Sequence, residues 1–151
     1  MNITQILKPE CVCFPLRATD KTSVITELID VLNEQGQLAN YDDVLRSVLA
    51  REQTRSTGIG MGLAVPHGKS RGVEALTMAI GKPETPIEFD SVDGRPCNLI
   101  VLLASPVDKT GPHIQALASV SRLWQTESFR AAVAKATTPQ ELYTAIEQQQ
   151  T

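Results

Sequence analysis

Apolar positions along this chain recur at two spacings, and the spacing switches several times. From Cys11 to Leu16 it is two, with Val12, Phe14 and Leu16 on one face and Cys11 and Cys13 on the other, which predicts a strand. Between Asp20 and Gln35 the period becomes helical, with Val24, Ile25, Leu28, Ile29 and Leu32 on one side. Asp20 is placed to cap this helix and Gly36 to stop it. Asn40 caps a second predicted helix, ending near residues 51–54, with Tyr41, Val44, Leu45, Val48 and Leu49 as its stripe. Asp42 and Asp43 fall in its first turn, where the helix dipole favours negative charge. Two strands are then expected, Val73 to Ile80 and a short one from Ile87 to Phe89. Asn98 to Ala104 is apolar at every position after Asn98, as a central strand covered on both faces would be. Pro112 marks a helix start, with Ile114, Leu117, Ala118, Ser121 and Trp124 tracing its inner side. Thr126 caps a helix to about Ala136. Thr138-Pro139-Gln140-Glu141 reads as a capping box opening a last helix to about Gln148. Interleaved helices and strands define an α/β class with helices on a sheet.

Length and charge narrow the picture. The chain has 151 residues, enough for one domain over residues 1–151 that buries its own core. A net charge of −3 argues against nucleic acid, which calls for a basic face. The longest apolar run, Leu99 to Ala104, is too short to span a bilayer, so no membrane insertion is expected. Met1 to Pro9 lacks the basic and apolar regions of a signal peptide. Cys11, Cys13 and Cys97 are odd in number and sparse, in keeping with a reducing compartment, and they read as small buried residues. The expected location is the cytoplasm.

The chemistry concentrates in Thr57 to Ser70. Gly58, Gly60 and Gly62 alternate, so the backbone can approach a ligand closely, and Leu63 to Val65 then deliver Pro66 and His67. Gly68-Lys69-Ser70 looks like the end of a P-loop, but the required glycine five positions earlier is Leu63, and no helical pattern follows. Gly58 and Gly60 also lack the third glycine of a dinucleotide fingerprint, again because position 63 is Leu63. Nucleotide binding is therefore set aside. A neutral imidazole is a competent nucleophile near neutral pH and can carry a phosphoryl group. It then needs backbone donors around the phosphoryl oxygens, fixed positive charge, and a group that holds its other ring nitrogen. The glycines can supply the first, and Arg51, Arg55 and Lys69 are candidates for the second. The sequence names no third group. His113, at a predicted helix N-terminus, is placed to donate a hydrogen bond to a phosphoryl group on His67. Two histidines with no obvious third ligand do not make a zinc site, and no metal or cofactor is expected.

The run from Ser56 through Gly58 and Pro66 to His67, Gly68 and Lys69 resembles the active-site motif of the fructose/mannitol-type IIA domains of the bacterial phosphoenolpyruvate:sugar phosphotransferase system. The likeness extends to Leu49-Ala50-Arg51-Glu52, to Pro86 through Pro96, and to Gly111 through Leu117. Its wording is most similar to the nitrogen-regulatory IIA proteins. No IIB or membrane segment is fused to the sequence given. The resemblance implies a mixed sheet of about five strands flanked by helices on both faces. It implies that His67 is phosphorylated, that Arg51 stabilises charge and that His113 is the second active-site histidine. Ser56, Thr57 and Gly58 are expected to cradle the phosphoryl oxygens. An HPr-type phosphohistidine protein is the expected donor, and regulatory targets such as potassium transport and sensor systems are the expected readers. A sugar-specific IIA that passes phosphate to a IIB domain is the alternative, and a binding module with a lapsed site is a third reading. One departure stands out: Met61 occupies a position where a polar residue, often asparagine, is expected. Ile59, Met61 and Leu63 then read as an apolar rim around His67 for docking a carrier.

Overall fold

The computed structural model describes residues 2–150. After a 3-10 turn at Ile3–Gln5, the chain runs through β1 (Leu7–Leu16), α1 (Lys21–Glu34) and α2 (Tyr41–Thr54). Three short strands follow: β2 (Gly58–Gly60), β3 (Leu63–Ala64) and β4 (His67–Lys69). Then come β5 (Thr77–Pro83), β6 (Leu99–Ser105), α3 (Thr110–Trp124), α4 (Glu127–Lys135) and α5 (Pro139–Gln149). The sheet has six strands in the order β1-β5-β6-β3-β2, with β4 also paired to β6. It is mixed: β1 is parallel to β5, β5 antiparallel to β6, and β3 and β4 both parallel to β6. Helices α1 and α2 pack on one face, and α3, α4 and α5 on the other. The expected class holds, and the extra strand arises because the glycine stretch breaks into three pieces.

The helix ends follow the sequence closely. Asp20 accepts from the Ser23 N–H at 3.0 Å, Asn40 from the Asp43 N–H at 3.1 Å and Thr138 from the Glu141 N–H at 3.1 Å. Gly36 sits at φ +70° after α1, where a Cβ would be strained. Glu141 does not close the box on Thr138, since its carboxylate accepts from the N–H and hydroxyl of Thr137. Thr126 precedes α4 without a side-chain cap.

Three expectations need correction. The strand drawn from Val73 to Ile80 begins only at Thr77, because the preceding segment turns against the α1–α2 junction. There the Gly72 carbonyl accepts from the Ala39 and Asn40 N–H groups and so is spent outside the sheet. Ile87 to Phe89 is not a strand: Ile87 makes one isolated bridge to Cys97, and the Phe89 carbonyl is taken by the Ser56 hydroxyl. Helix α3 starts at Thr110, two residues before Pro112, whose missing N–H costs nothing in a first turn. Its buried face is His113, Ala116, Ser119, Val120, Leu123 and Trp124, while Ile114 is 59% exposed. The inward anchors include a histidine and a serine, so a stripe drawn from apolar residues alone is rotated away from the true one.

β6 is buried along its whole length, between α1 on one face and α3 on the other. Leu102 and Leu103 are fully buried. The ends of β4 and β6 therefore have fixed positions, and the site is built there.

Candidate active site

His67 opens β4, paired with Leu103 of β6. Its Nδ1 lies 2.7 Å from the Val65 carbonyl oxygen. A carbonyl only accepts, so Nδ1 carries the proton and donates, which leaves the Nε2 lone pair available. Nε2 has no hydrogen-bond partner among the described residues. The third support, which the sequence could not name, is thus a backbone carbonyl two residues upstream. Burial pushes the imidazole below its ordinary pKa. The Val65 carbonyl pulls the other way, Arg51 pushes it down further and Glu52 pulls it up. The net direction is down, so the ring is neutral and nucleophilic at neutral pH.

His113, in the first turn of α3, is 5% exposed, and its ring centroid lies 5.3 Å from that of His67. Its Nδ1 is 2.6 Å from the Ser105 hydroxyl at the end of β6. Burial, then the neighbouring His67 and Lys69, push its pKa down to about 4. With the Ser105 O–H as donor to Nδ1, one of the two arrangements this contact allows, the neutral ring carries its proton on Nε2. One ring then presents a lone pair and the other an N–H.

His67 lines a cavity of about 310 Å³ together with Arg51, Arg55, Ser56, Thr57, Gly58, Ile59, Val65, Val92, Leu117 and Ser121, and the His113 ring lies behind it at 5.3 Å from the His67 ring. Arg51, in the last turn of α2, is held by donating from Nη1 to the Arg55 carbonyl at 2.9 Å. The structure brings His67, His113 and Arg51 together, with Arg55 on the same wall. Lys69 is directed elsewhere, its ammonium 3.2 Å from the Thr110 hydroxyl.

Ser56, Thr57 and Gly58 line the cavity, but their donors are committed. The Thr57 N–H goes to Glu52 at 2.9 Å, the Gly58 N–H goes to the Ser56 hydroxyl at 3.0 Å, and that hydroxyl donates to Phe89. They shape the wall without offering these groups to a phosphoryl group. The rim also needs correction at one position: Ile59 and Met61 are each 48% exposed, but Leu63 is fully buried. Leu63 begins β3 and pairs with Leu99, which turns its side chain into the core. Val92, which lines the cavity and is exposed, takes its place.

Met61 and Gly62 form the tight turn between antiparallel β2 and β3, at φ 57° and 87°. Two consecutive positive φ values define the hairpin turn that favours Asn-Gly. The expectation of asparagine at this position therefore has a backbone reason. The Met61 N–H donates to Asp93 at 2.9 Å, and its carbonyl accepts from the Trp124 indole at 2.9 Å.

Sequence reasoning missed Ser105, Trp124 and Glu52 as parts of the site. Glu52 left a readable trace: it continues the Val44, Val48 stripe of α2 at a four-residue step, so a carboxylate falls on the buried face.

Residues 5–149 match the family described as phosphoenolpyruvate-dependent sugar phosphotransferase system, EIIA 2. The chain belongs to this family of phosphotransferase-system IIA proteins. It is similar to the nitrogen regulatory protein of Bradyrhizobium diazoefficiens, 31% identical over 147 residues that cover 97% of this chain and 95% of that one. The crystal structure of the nitrogen regulatory protein IIA-Ntr from Neisseria meningitidis superimposes with a TM-score of 0.87 at 29% identity, covering 95% of this chain and 98% of the other. The fructose-specific EIIABC component of Bacillus subtilis is 31% identical over 136 residues, 90% of this chain, and the chain spans 21% of that relative's length. No helix among the described residues is long and apolar enough to cross a membrane.

Proposed function

We propose that this protein is a phosphoryl carrier in a regulatory phosphotransferase relay, with His67 Nε2 as the acceptor atom. The observation that carries the reading is the bond from His67 Nδ1 to the Val65 carbonyl, which fixes the tautomer whose free lone pair lies beside an arginine-lined cavity. In the proposed transfer, Nε2 attacks the phosphorus of a donor phosphohistidine in line. The P–N bond to the donor breaks, its electron pair stays on the donor ring, and a P–N bond to His67 forms. Arg51 balances charge on the equatorial oxygens, and the His113 Nε2–H donates to one of them. His113 is neutral at the start, so it donates without adding a second cation to the pocket.

The donor is an HPr-type phosphohistidine carrier docking on the rim made by Ile59 and Met61. The full-length similarity to nitrogen regulatory proteins supports a role in which targets read the phosphorylation state. Similarity to the fructose-specific component supports the second reading, a sugar-branch IIA that hands phosphate to a IIB domain. A IIB acceptor that drains label from His67 within seconds would favour that branch.

The test is incubation with phosphoenolpyruvate, the first phosphotransferase enzyme and HPr. Wild type takes up one acid-labile phosphate, His113→Ala takes it up slowly, and His67→Ala takes up none. Label on folded His67→Ala overturns the assignment.

A further inference from the structure

One buried charge remains unused by this mechanism. Glu52 closes α2 and is 6% exposed. Its Oε2 accepts from the Thr57 N–H at 2.9 Å and from the Lys21 ammonium at 3.0 Å, and its Oε1 accepts from the Thr57 hydroxyl at 2.5 Å. The Thr57 carbonyl accepts from the Val65 N–H at 3.0 Å, and the Val65 carbonyl accepts from His67 Nδ1 at 2.7 Å. Glu52 thus holds Thr57, Thr57 holds Val65 and Val65 holds the imidazole, a residue-to-residue linkage in which the backbone of Thr57 and of Val65 joins one bond to the next. Charge-assisted bonds are about twice as strong as neutral ones, which makes Glu52 the firmest anchor of this linkage.

We propose that Glu52 is a positioning residue for His67, holding Thr57 and, through it, the Val65 carbonyl, so that Nδ1 stays protonated and Nε2 stays free. This rests on the reading of His67 as the acceptor, but its first consequence is visible in the protein without any phosphate. Lys21 neutralises the outer oxygen of Glu52, and Asp90 lies 3.5 Å from Lys21 on the solvent side. Around His67 itself the other charged or titratable groups are Arg51 and Arg55 from the end of α2 and His113 from α3. Among the described residues none of them makes a hydrogen bond to Val65 or Thr57.

The experiment is nitrogen-15 NMR of the imidazole rings in full-length Glu52→Gln and Thr57→Val, with the phosphotransfer assay run alongside. Glutamine keeps the shape of the side chain and loses the charge and one acceptor; valine keeps the shape of threonine and loses the hydroxyl. In folded Glu52→Gln, the share of His67 with its proton on Nε2 rises. The rate constant for transfer falls by about tenfold, while the half-saturating concentration of the donor is unchanged. Thr57→Val shifts the same ring signals in the same direction, less far, and decides the matter if Glu52→Gln does not fold. Ring signals identical to wild type in the folded variant overturn the proposal. That failure is distinct from failure of the carrier reading, which appears as wild-type protein that takes up no phosphate.

Discussion

The two ends of the sheet are held together by different physics. At the β1–β5–β6 end, apolar side chains from α1, α3 and α5 cover β5 and β6, which are almost wholly buried, and the buried positions of the edge strand β1. At the β2–β3–β4 end the strands are two or three residues long, and side chains clamp backbone: Glu52 on Thr57, Ser56 on Phe89, Asp93 and Trp124 on Met61. The first end gains stability from area removed from water, which is not directional. The second gains geometry from hydrogen bonds, which are. A site that must place one lone pair belongs at the second end, and it uses the first as a fixed wall.

Substitutions at each end should therefore separate stability from chemistry. The largest effect is expected from Leu102→Ala in fully buried β6, which costs about 2–5 kcal/mol in chemical denaturation. The fraction that remains folded should still accept phosphate on His67. Loss of phosphate uptake by that folded fraction would erase the distinction between the two ends.

Acid comes next. The His113 pKa in the fold is about 4, below the ordinary value near 6.5, so the unfolded chain binds the extra proton first as pH falls. The neutral ring's contribution is fully present above about pH 6.5 and is lost as pH falls through about 4, amounting to about 2–3 kcal/mol. Denaturation midpoints between pH 7 and 4 should fall in the wild type, and less steeply in His113→Gln. Equal slopes would mean that His113 is not held neutral.

A smaller effect is expected from Trp124→Phe. It keeps most of the ring and removes the N–H that holds the Met61 carbonyl, for a loss of about 1 kcal/mol. Backbone amide shifts should change at Met61 and Gly62 and leave β5 untouched. The smallest effect should be a gain. Met61→Asn places a residue that tolerates left-handed φ at the hairpin turn and should stabilise by about 0.5–1 kcal/mol in thermal unfolding. Met61→Asp, by contrast, adds a carboxylate beside Asp93 and mixes charge repulsion with the loss of apolar rim.

The same contrast decides what was legible in the sequence. Periodicity marked β1, α1, α2 and β6, because burial against one face repeats at the period of the element. Caps at Asp20, Asn40 and Thr138 were legible because the donor lies three residues away. His67, His113 and Arg51 were marked by composition and by family likeness. Their partners were not, because Val65 acts through its backbone and Ser105 acts from the end of an apolar strand. The exposed face of α3 was misplaced for a related reason: His113 and Ser119 point inward, and no hydropathy rule sends them there. Leu63 was placed on the rim by counting alternate residues, a rule that fails across a hairpin turn, where the chain reverses between Gly60 and Leu63.

Two glycines on either side of His67 carry a last consequence. A Cβ on Gly58 would sit 2.2 Å from the Ser91 hydroxyl oxygen, and one on Gly68 would sit 2.9 Å from the Ser47 hydroxyl oxygen and 3.1 Å from the Val48 nitrogen. The backbone on both flanks of the histidine is pressed against other elements with no slack. A segment wedged in this way resists any shift of its backbone. On the proposed reading of His67, the added charge would be presented on a template that keeps one outline.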